Sequence, residues 1–117
     1  MKYVPLKSEA RSEADLTAQY REGRKIGVIR LGREYFFFRH FRRVYYIAYD
    51  EIGRCFRRVV AVPAKCCCGK GELQIENLVV CDDARELAVI QLPGARAAEA
   101  LMEEMIRRTP DAAHRKV

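Results

Sequence analysis

The chain has 117 residues, of which 50% are apolar and 32% charged, and this composition favours one globular domain over intrinsic disorder or a fibrous repeat. No apolar run approaches the about 20 residues of a bilayer-spanning helix, and no secretion signal is visible, so we expect a cytoplasmic protein. Five cysteines, an odd number, do not make a disulfide framework and favour a reducing compartment.

The formal charge of +6 is unevenly distributed along the sequence. Between Arg21 and Lys65 there are twelve Lys/Arg against four Asp/Glu, whereas the rest of the chain carries ten against twelve. Such an excess favours an anionic partner, which can be nucleic acid, an acidic protein or anionic lipid, but it is also common on solvated faces. Charge alone therefore selects no partner.

The first residues predict two short elements. Residues 1–6 predict an edge strand, since their proline is tolerated only where its missing N–H is not needed. Ser8 or Ser12 is placed to cap a helix that runs to about residue 20, and Gly23 predicts its end. Acidic residues after these serines suit the positive end of the helix dipole.

Consecutive strands are predicted in the basic half of the chain. Alternation from Ile26 to Arg30 predicts a first strand, and Gly32 marks the turn after it. The next strand, Tyr35 to Phe41, is aromatic on both faces. This pattern predicts one face on the core and the other under a helix or against a partner.

The strand after a predicted hairpin turn at residues 40–43 is central to the predicted fold. Tyr45, Ile47 and Tyr49 alternate on one face and indicate a half-buried strand. A polar corner over residues 50–53 closes it. The flanking elements are expected to cover this strand.

A longer strand over residues 55–62 is predicted to end at Pro63. Arg57 and Arg58 are adjacent and must point to opposite sides, which predicts an edge strand or a bulge. The following elements are predicted in chain order: a loop over 64–71, strand segments from 73 to 80 with a bulge or tight turn at 76–77, a polar turn over 81–85 and a last strand over 87–92.

Ala95 to Arg108 form the clearest predicted helix, which Pro110 terminates. Glu103 and Glu104 are placed on its outer face, four residues before arginines that can pair with them. Its apolar stripe consists of Ala98, Leu101, Met102 and Met105, with Ile106 at the margin.

The order of six or seven short antiparallel strands and a C-terminal helix resembles the pleckstrin-homology-like (PH-like) superfold. Tyr46 to Ile52, read as Tyr-Ile-Ala-Tyr-Asp-Glu-Ile, is similar to a Tyr-Ile-Pro-Tyr-Asp-Glu-Ile pattern of small bacterial members, with Ala48 where proline is common. Glu86 to Gly94 is similar to the last strand of that family. The resemblance covers about residues 25–109.

This resemblance implies a mainly β fold with α, in which a small bent antiparallel barrel or sandwich of six to seven strands is capped by the C-terminal helix. It implies a single domain over residues 1–117. Its core would be about 25–109, with 1–24 as an N-terminal extension that contains a short helix and 110–117 as a flexible tail.

The resemblance does not by itself determine function. Phosphoinositide-binding members carry a long basic loop between the first two strands, whereas the corresponding turn here is only Leu31 to Arg33. We therefore expect a non-catalytic binding or assembly module that acts through a protein partner or self-association. The alternative is peripheral contact with anionic membrane lipid, and the candidate residues for it are Arg30, Arg33, Arg42 and Arg43.

A third alternative is a redox or metal-responsive protein that uses Cys66, Cys67 and Cys68. These residues lack the Cys-x2-Cys spacing of zinc sites, so we expect no metal and no cofactor. His40 has no acid or nucleophile beside it in sequence, and no small-molecule substrate or catalytic motif is identified. Nucleic acid binding is not favoured either, because most of the aromatic residues must fill the interior.

Overall fold

The protein folds into two β-sheets and two α-helices in a computed structural model, which describes residues 2–7, 13–63, 72–110 and 112. It is mainly β with α, and its C-terminal helix has the predicted bounds. The strands are β1 (Lys2–Pro5), β2 (Arg24–Ile26), β3 (Ile29–Leu31), β4 (Tyr35–His40), β5 (Arg43–Ala48), β6 (Arg54–Pro63), β7 (Glu72–Cys81) and β8 (Glu86–Gln91), and the helices are α1 (Glu13–Glu22) and α2 (Ala95–Arg108).

The larger sheet has the order β1-β5-β4-β3-β2, and the smaller sheet has the order β6-β7-β8. Neighbouring strands are antiparallel, except that β1 runs parallel to β5. The eight described strands do not close into a barrel, because each sheet keeps two free edges. The barrel form of the prediction is therefore wrong. The predicted six to seven strands of the core over about residues 25–109 agree with the seven strands β2 to β8, and β1 lies in the N-terminal extension.

A shared core lies between the two sheets and α2. Phe36 and Ile47 enter it from the larger sheet, Leu78 and Ile90 from the smaller sheet, and Leu101 from α2. Every one of these side chains is at most 4% exposed. This core holds the two sheets and the C-terminal helix together.

The predicted first strand, Ile26 to Arg30, is wrong because it is two strands. Gly27 has φ +60°, and with Val28 it forms the turn between β2 and β3. That backbone conformation is disfavoured for other residues, and a Cβ at this position would also lie 3.0 Å from Cδ of Pro93. A local glycine turn therefore breaks the alternating pattern.

β4 and β5 are buried on both faces. Phe36 faces the shared core, whereas Tyr35 and Phe37 pack under α1 against Leu16. The expectation of a helix over the second aromatic face is confirmed. The expectation of a half-buried β5 is wrong, because Tyr46 and its neighbours on that face are also covered by α1.

β6 is an edge strand, which is one of the two alternatives that the adjacent Arg57 and Arg58 predicted. Arg57 donates to Glu76 with Nε 2.6 Å from Oε2, and Arg58 binds Glu86 on the other face with Nη2 2.6 Å from Oε2. The predicted break at residues 76–77 is wrong: β7 is continuous, and Glu76 is buried on its core side. The register shift lies instead between Val80 and Cys81, against β8.

Several predictions fall on residues outside the described ranges, namely the caps at Ser8 or Ser12, the loop over 64–71 and most of the tail. Gly23 does follow the last turn of α1, and its N–H donates to the carbonyl of Tyr20. The polar turn after β7 is also present, where Asp82 Oδ1 accepts from two backbone N–H groups at 2.8 Å. Among the described helices, none has the length and apolar character to cross a bilayer.

Leu101→Ala should lower the free energy of unfolding by about 2–5 kcal/mol, because it leaves a cavity in the shared core. Ile106→Ala on the exposed side of α2 should change it by less than about 0.5 kcal/mol. Glu103→Ala, also on the exposed side, should change it by only a few tenths. Urea denaturation of the three variants measures the free energy of unfolding. An equal loss in Leu101→Ala and in the two variants on the exposed side would contradict the orientation of α2.

Candidate functional site

The Tyr-Asp-Glu corner that follows β5 has a structural role. The Tyr49 hydroxyl donates to the carbonyl of Gly32 at 2.7 Å, and Arg108 Nη1 donates to the same carbonyl at 2.9 Å. Glu51 Oε1 accepts from the N–H of Ala48 at 3.3 Å. These contacts join the corner, the β3–β4 turn and the last turn of α2, so the motif that carries the resemblance stabilises the fold.

Glu104 lies at the centre of a second polar cluster in this region. Its carboxylate accepts from Arg24 at 2.8 Å, from Arg108 at 3.2 Å and from Arg107. Burial acts to raise the pKa of Glu104, but the three guanidinium groups outweigh it and the pKa is lowered. The expected outer-face position of Glu104 is therefore wrong: its side chain is buried and anchors α2 to β2.

The structure does not bring the four candidate arginines together. Arg33 lies in the turn before β4, and Arg42 and Arg43 lie after the end of the same six-residue strand, roughly 20 Å away. Arg30 is held over the Tyr20 ring, 4.8 Å from its centroid, and donates to the carbonyl of Tyr20. Only Arg42 and Arg43 share one surface.

That surface, the basic tip, is the end of the larger sheet where β4 turns into β5. Three arginines and a histidine surround Phe41, which is 82% exposed and has φ 55°. Arg39 Nε donates to the carbonyl of Phe41 at 3.0 Å and fixes the turn. The residues of the basic tip are Lys2, Val28, Arg39, His40, Phe41, Arg42 and Arg43.

A strand pairing and a backbone hydrogen bond place Lys2 and Val28 at the same end of the larger sheet as Phe41. Lys2 is paired with Arg43, and the carbonyl of Val28 accepts from the N–H of Arg39 at 2.9 Å. None of the three arginines of the tip is ion-paired within the described ranges. The tip is therefore an exposed positive surface with a protruding aromatic ring.

A second unusual surface is the ribbon, which we define as residues 59–63 of β6 paired with residues 72–76 of β7. β8 pairs only with Asn77 to Cys81 of β7, so the ribbon has two strands where the rest of the sheet has three. The described chain measures 51 × 31 × 23 Å, and a ten-residue strand spans roughly 33 Å. The pair of β6 and β7 thus extends past the end of β8.

One face of the ribbon is entirely apolar. Val60 lies opposite Ile75, and Val62 lies opposite Leu73, so these four side chains form a continuous patch. Leu73 is 58% exposed and Val60 is 40% exposed. The sequence analysis missed this surface, although the matching apolar runs on both sides of the predicted loop were a signal for it.

Two of the five cysteines lie in the described chain as buried free thiols. Cys55 is in the shared core and Cys81 packs with Phe56 and Val79 on the opposite face of the smaller sheet. Burial raises the pKa of the Cys55 thiol to about 11, so this thiol has little thiolate character at neutral pH. Cys66, Cys67 and Cys68 lie outside the described residues, within which no group of ligands could hold a metal.

Comparison of the chain with protein-family models, with curated proteins and with solved structures found no significant match. The relationship to PH-like domains therefore stays a prediction. It depends on the residues of the corner and on the order of the elements.

At high pH the free energy of unfolding should depend on the ionisation of the Tyr49 phenol. Burial raises the pKa of Tyr49 from 10.0 to about 12, so its neutral form contributes fully below pH 10 and this contribution is lost as pH rises from 10 towards 12. The free energy of unfolding should fall by up to about 1.4 kcal/mol per pH unit in this window.

Urea denaturation between pH 8 and pH 11.5 measures this slope. Tyr49→Phe should reduce the slope, whereas Tyr45→Phe, which leaves the buried phenol in place, should keep it. An unchanged slope in Tyr49→Phe would contradict the assignment.

Proposed function

We propose that this chain is a non-catalytic binding module of the PH-like kind, from a bacterial cytoplasm. The support for the fold relationship is the order of the elements: four antiparallel strands from β2 to β5, three from β6 to β8, and then α2. β1 and α1 are additions to this core: β1 is an edge strand of the larger sheet, and α1 covers one face of that sheet. Because a fold does not determine function, the activity is argued from the surfaces.

The module acts through protein contacts made by the ribbon. The observation that supports this is the apolar face of Val60, Val62, Leu73 and Ile75 on a two-stranded extension whose outer edges pair with no other described strand. Contiguous exposed apolar patches on otherwise polar proteins mark interaction surfaces. An extended partner segment that pairs with an open edge gains main-chain hydrogen bonds, and its apolar side chains can contact this face.

A capture experiment tests this proposal. The immobilised full chain is incubated with lysate of the source cells, and bound proteins, including further copies of this chain, are quantified by mass spectrometry. The double variant Val60→Lys/Leu73→Lys should lose specific partners, because lysine side chains cannot be buried in an apolar contact without cost.

Val89→Lys is the matched control, since Val89 is 52% exposed on β8 of the same sheet but outside the ribbon. It should retain the partners. Equal capture by the double variant and the wild-type chain would show that the ribbon is not the contact surface.

The second candidate function is peripheral binding to anionic membranes through the basic tip. The observation that favours it is Phe41, which protrudes among Lys2, Arg39, Arg42 and Arg43. An aromatic ring that enters the interface and cations that attract anionic headgroups are the two parts of such contacts. The short β3–β4 turn at Gly32 supplies no enclosing basic loop, so headgroup selectivity is not expected.

Vesicle sedimentation tests the membrane proposal. Vesicles with phosphatidylserine should bind the chain weakly and release it as salt is raised, and pure phosphatidylcholine vesicles should not bind it. Arg42→Ala and Arg43→Ala should each weaken binding by about fivefold, which corresponds to about 1 kcal/mol per cation. Phe41→Ala should also weaken it.

Arg33→Ala is the control, because it removes the same charge at the other end of β4. It should change binding less than either substitution at the tip. Equal losses from all three arginine variants would indicate a general charge effect and remove the basic tip as a specific membrane contact.

A further inference from the structure

We propose that the β6 edge of the ribbon pairs with the β6 edge of a second copy of this chain. The two strands would be antiparallel about a two-fold axis at Val60, and the two ribbons would form one continuous sheet. This inference rests on the proposed function, since it names the partner of the ribbon. It follows from the open edge, the residue order along that edge and the distribution of charge.

Among the described strands none pairs with the outer edge of β6, and residues 59–62 of this edge carry no charged side chain, bulge or proline. β7 occupies one side of β6, and no described strand occupies the other. Natural edge strands are protected by charged side chains, bulges or proline. Residues 59–62 read Val-Val-Ala-Val, their register with β7 is regular, and proline occurs only at the end of the strand.

The sequence of this edge is self-complementary in antiparallel pairing. An axis at Val60 places Val60 opposite its own copy and Val59 opposite Ala61 of the second copy. Residues that lie opposite each other must point to the same side of a sheet, and this register satisfies that rule because both members of each pair are even-numbered or both odd-numbered. The exposed apolar side chains therefore meet apolar side chains across the new ladder.

Charge also favours a second copy over a charged peptide. In this register Arg58 lies opposite Val62 and Arg57 opposite Pro63 of the second copy, so no two cations oppose each other. Both arginines are already paired within their own chain, with Glu76 and Glu86. Residues 59–63 carry no charge with which an acidic or basic peptide could pair.

The expected contact is small. Stable complexes bury about 800 Å² on each partner, which is roughly a tenth of the 7797 Å² surface of the described chain. Pairing along one short edge covers less than this area. The association should therefore be reversible and should depend on concentration in the micromolar range, about the affinity of a weak complex.

Sedimentation equilibrium of the purified full chain tests the proposal. The average mass should rise with concentration from 13.5 kDa towards twice that value. Val60→Lys should weaken association by at least about tenfold, since it places two lysines directly opposite each other at the axis. Val89→Lys, with the same charge change on β8, should associate like the wild-type chain.

Thiol cross-linking tests the register in a chain whose Cys66, Cys67 and Cys68 are replaced by serine. Val60→Cys should form a covalent dimer under mild oxidation, because each new thiol faces its own copy, and Val89→Cys should not. A chain that stays monomeric up to millimolar concentration, or a dimer that Val60→Lys leaves intact, would overturn the proposal.

These outcomes distinguish a failure of the second-copy proposal from a failure of the proposed function. A monomeric chain whose ribbon still captures another protein overturns pairing with a second copy and leaves the ribbon as a contact surface. A monomeric chain that captures nothing through the ribbon overturns both.

Discussion

The burial of β4 and β5 on both faces is the constraint on which the architecture depends. Away from the basic tip, the aromatic and aliphatic side chains of these strands leave no polar face for solvent, so the larger sheet needs cover on two sides. The smaller sheet and α2 cover one side, and α1 covers the other. The N-terminal elements are therefore integral to this fold, and β1 completes the sheet beside β5.

The smaller sheet is covered over only part of its length, and this explains the ribbon. The N–H of Leu92, the residue after β8, donates to the carbonyl of Glu76 at 2.8 Å. At this point the chain turns away from its place beside β7 and leads to α2. Beyond that point β7 pairs with β6 alone among the described strands. The Arg57–Glu76 pair occupies the boundary, and the same partnership lowers the pKa of Glu76 and keeps both groups charged.

The polar side chains of the described chain fall into two groups: those that hold elements of the fold together, and those that are exposed to solvent. The Glu104 carboxylate and the Tyr49 hydroxyl serve the contact between α2 and the larger sheet. At the basic tip Arg39 fixes the turn at Phe41, whereas Arg42 and Arg43 make no ion pair within the described ranges. The net charge of the sequence therefore overestimates the basic surface that a partner could contact. Ion pairs join Arg24 to Glu104, Arg57 to Glu76 and Arg58 to Glu86, and Arg30 is bound to the carbonyl of Tyr20.

The sequence by itself determined the mainly β class and the bounds of α2. It also limited β6 to an edge or bulged strand and the second aromatic face of β4 to cover by a helix or a partner, and the structure chose the edge and the helix. Each follows from a local pattern: a helical stripe, two adjacent arginines, or aromatic residues at every position. The sequence did not determine that Glu104 and Glu76 are buried, since their arginine partners Arg24 and Arg57 are distant along the chain. Only the tertiary structure separated the candidate arginines and left the ribbon uncovered, because these features depend on which strands are neighbours and where β8 ends.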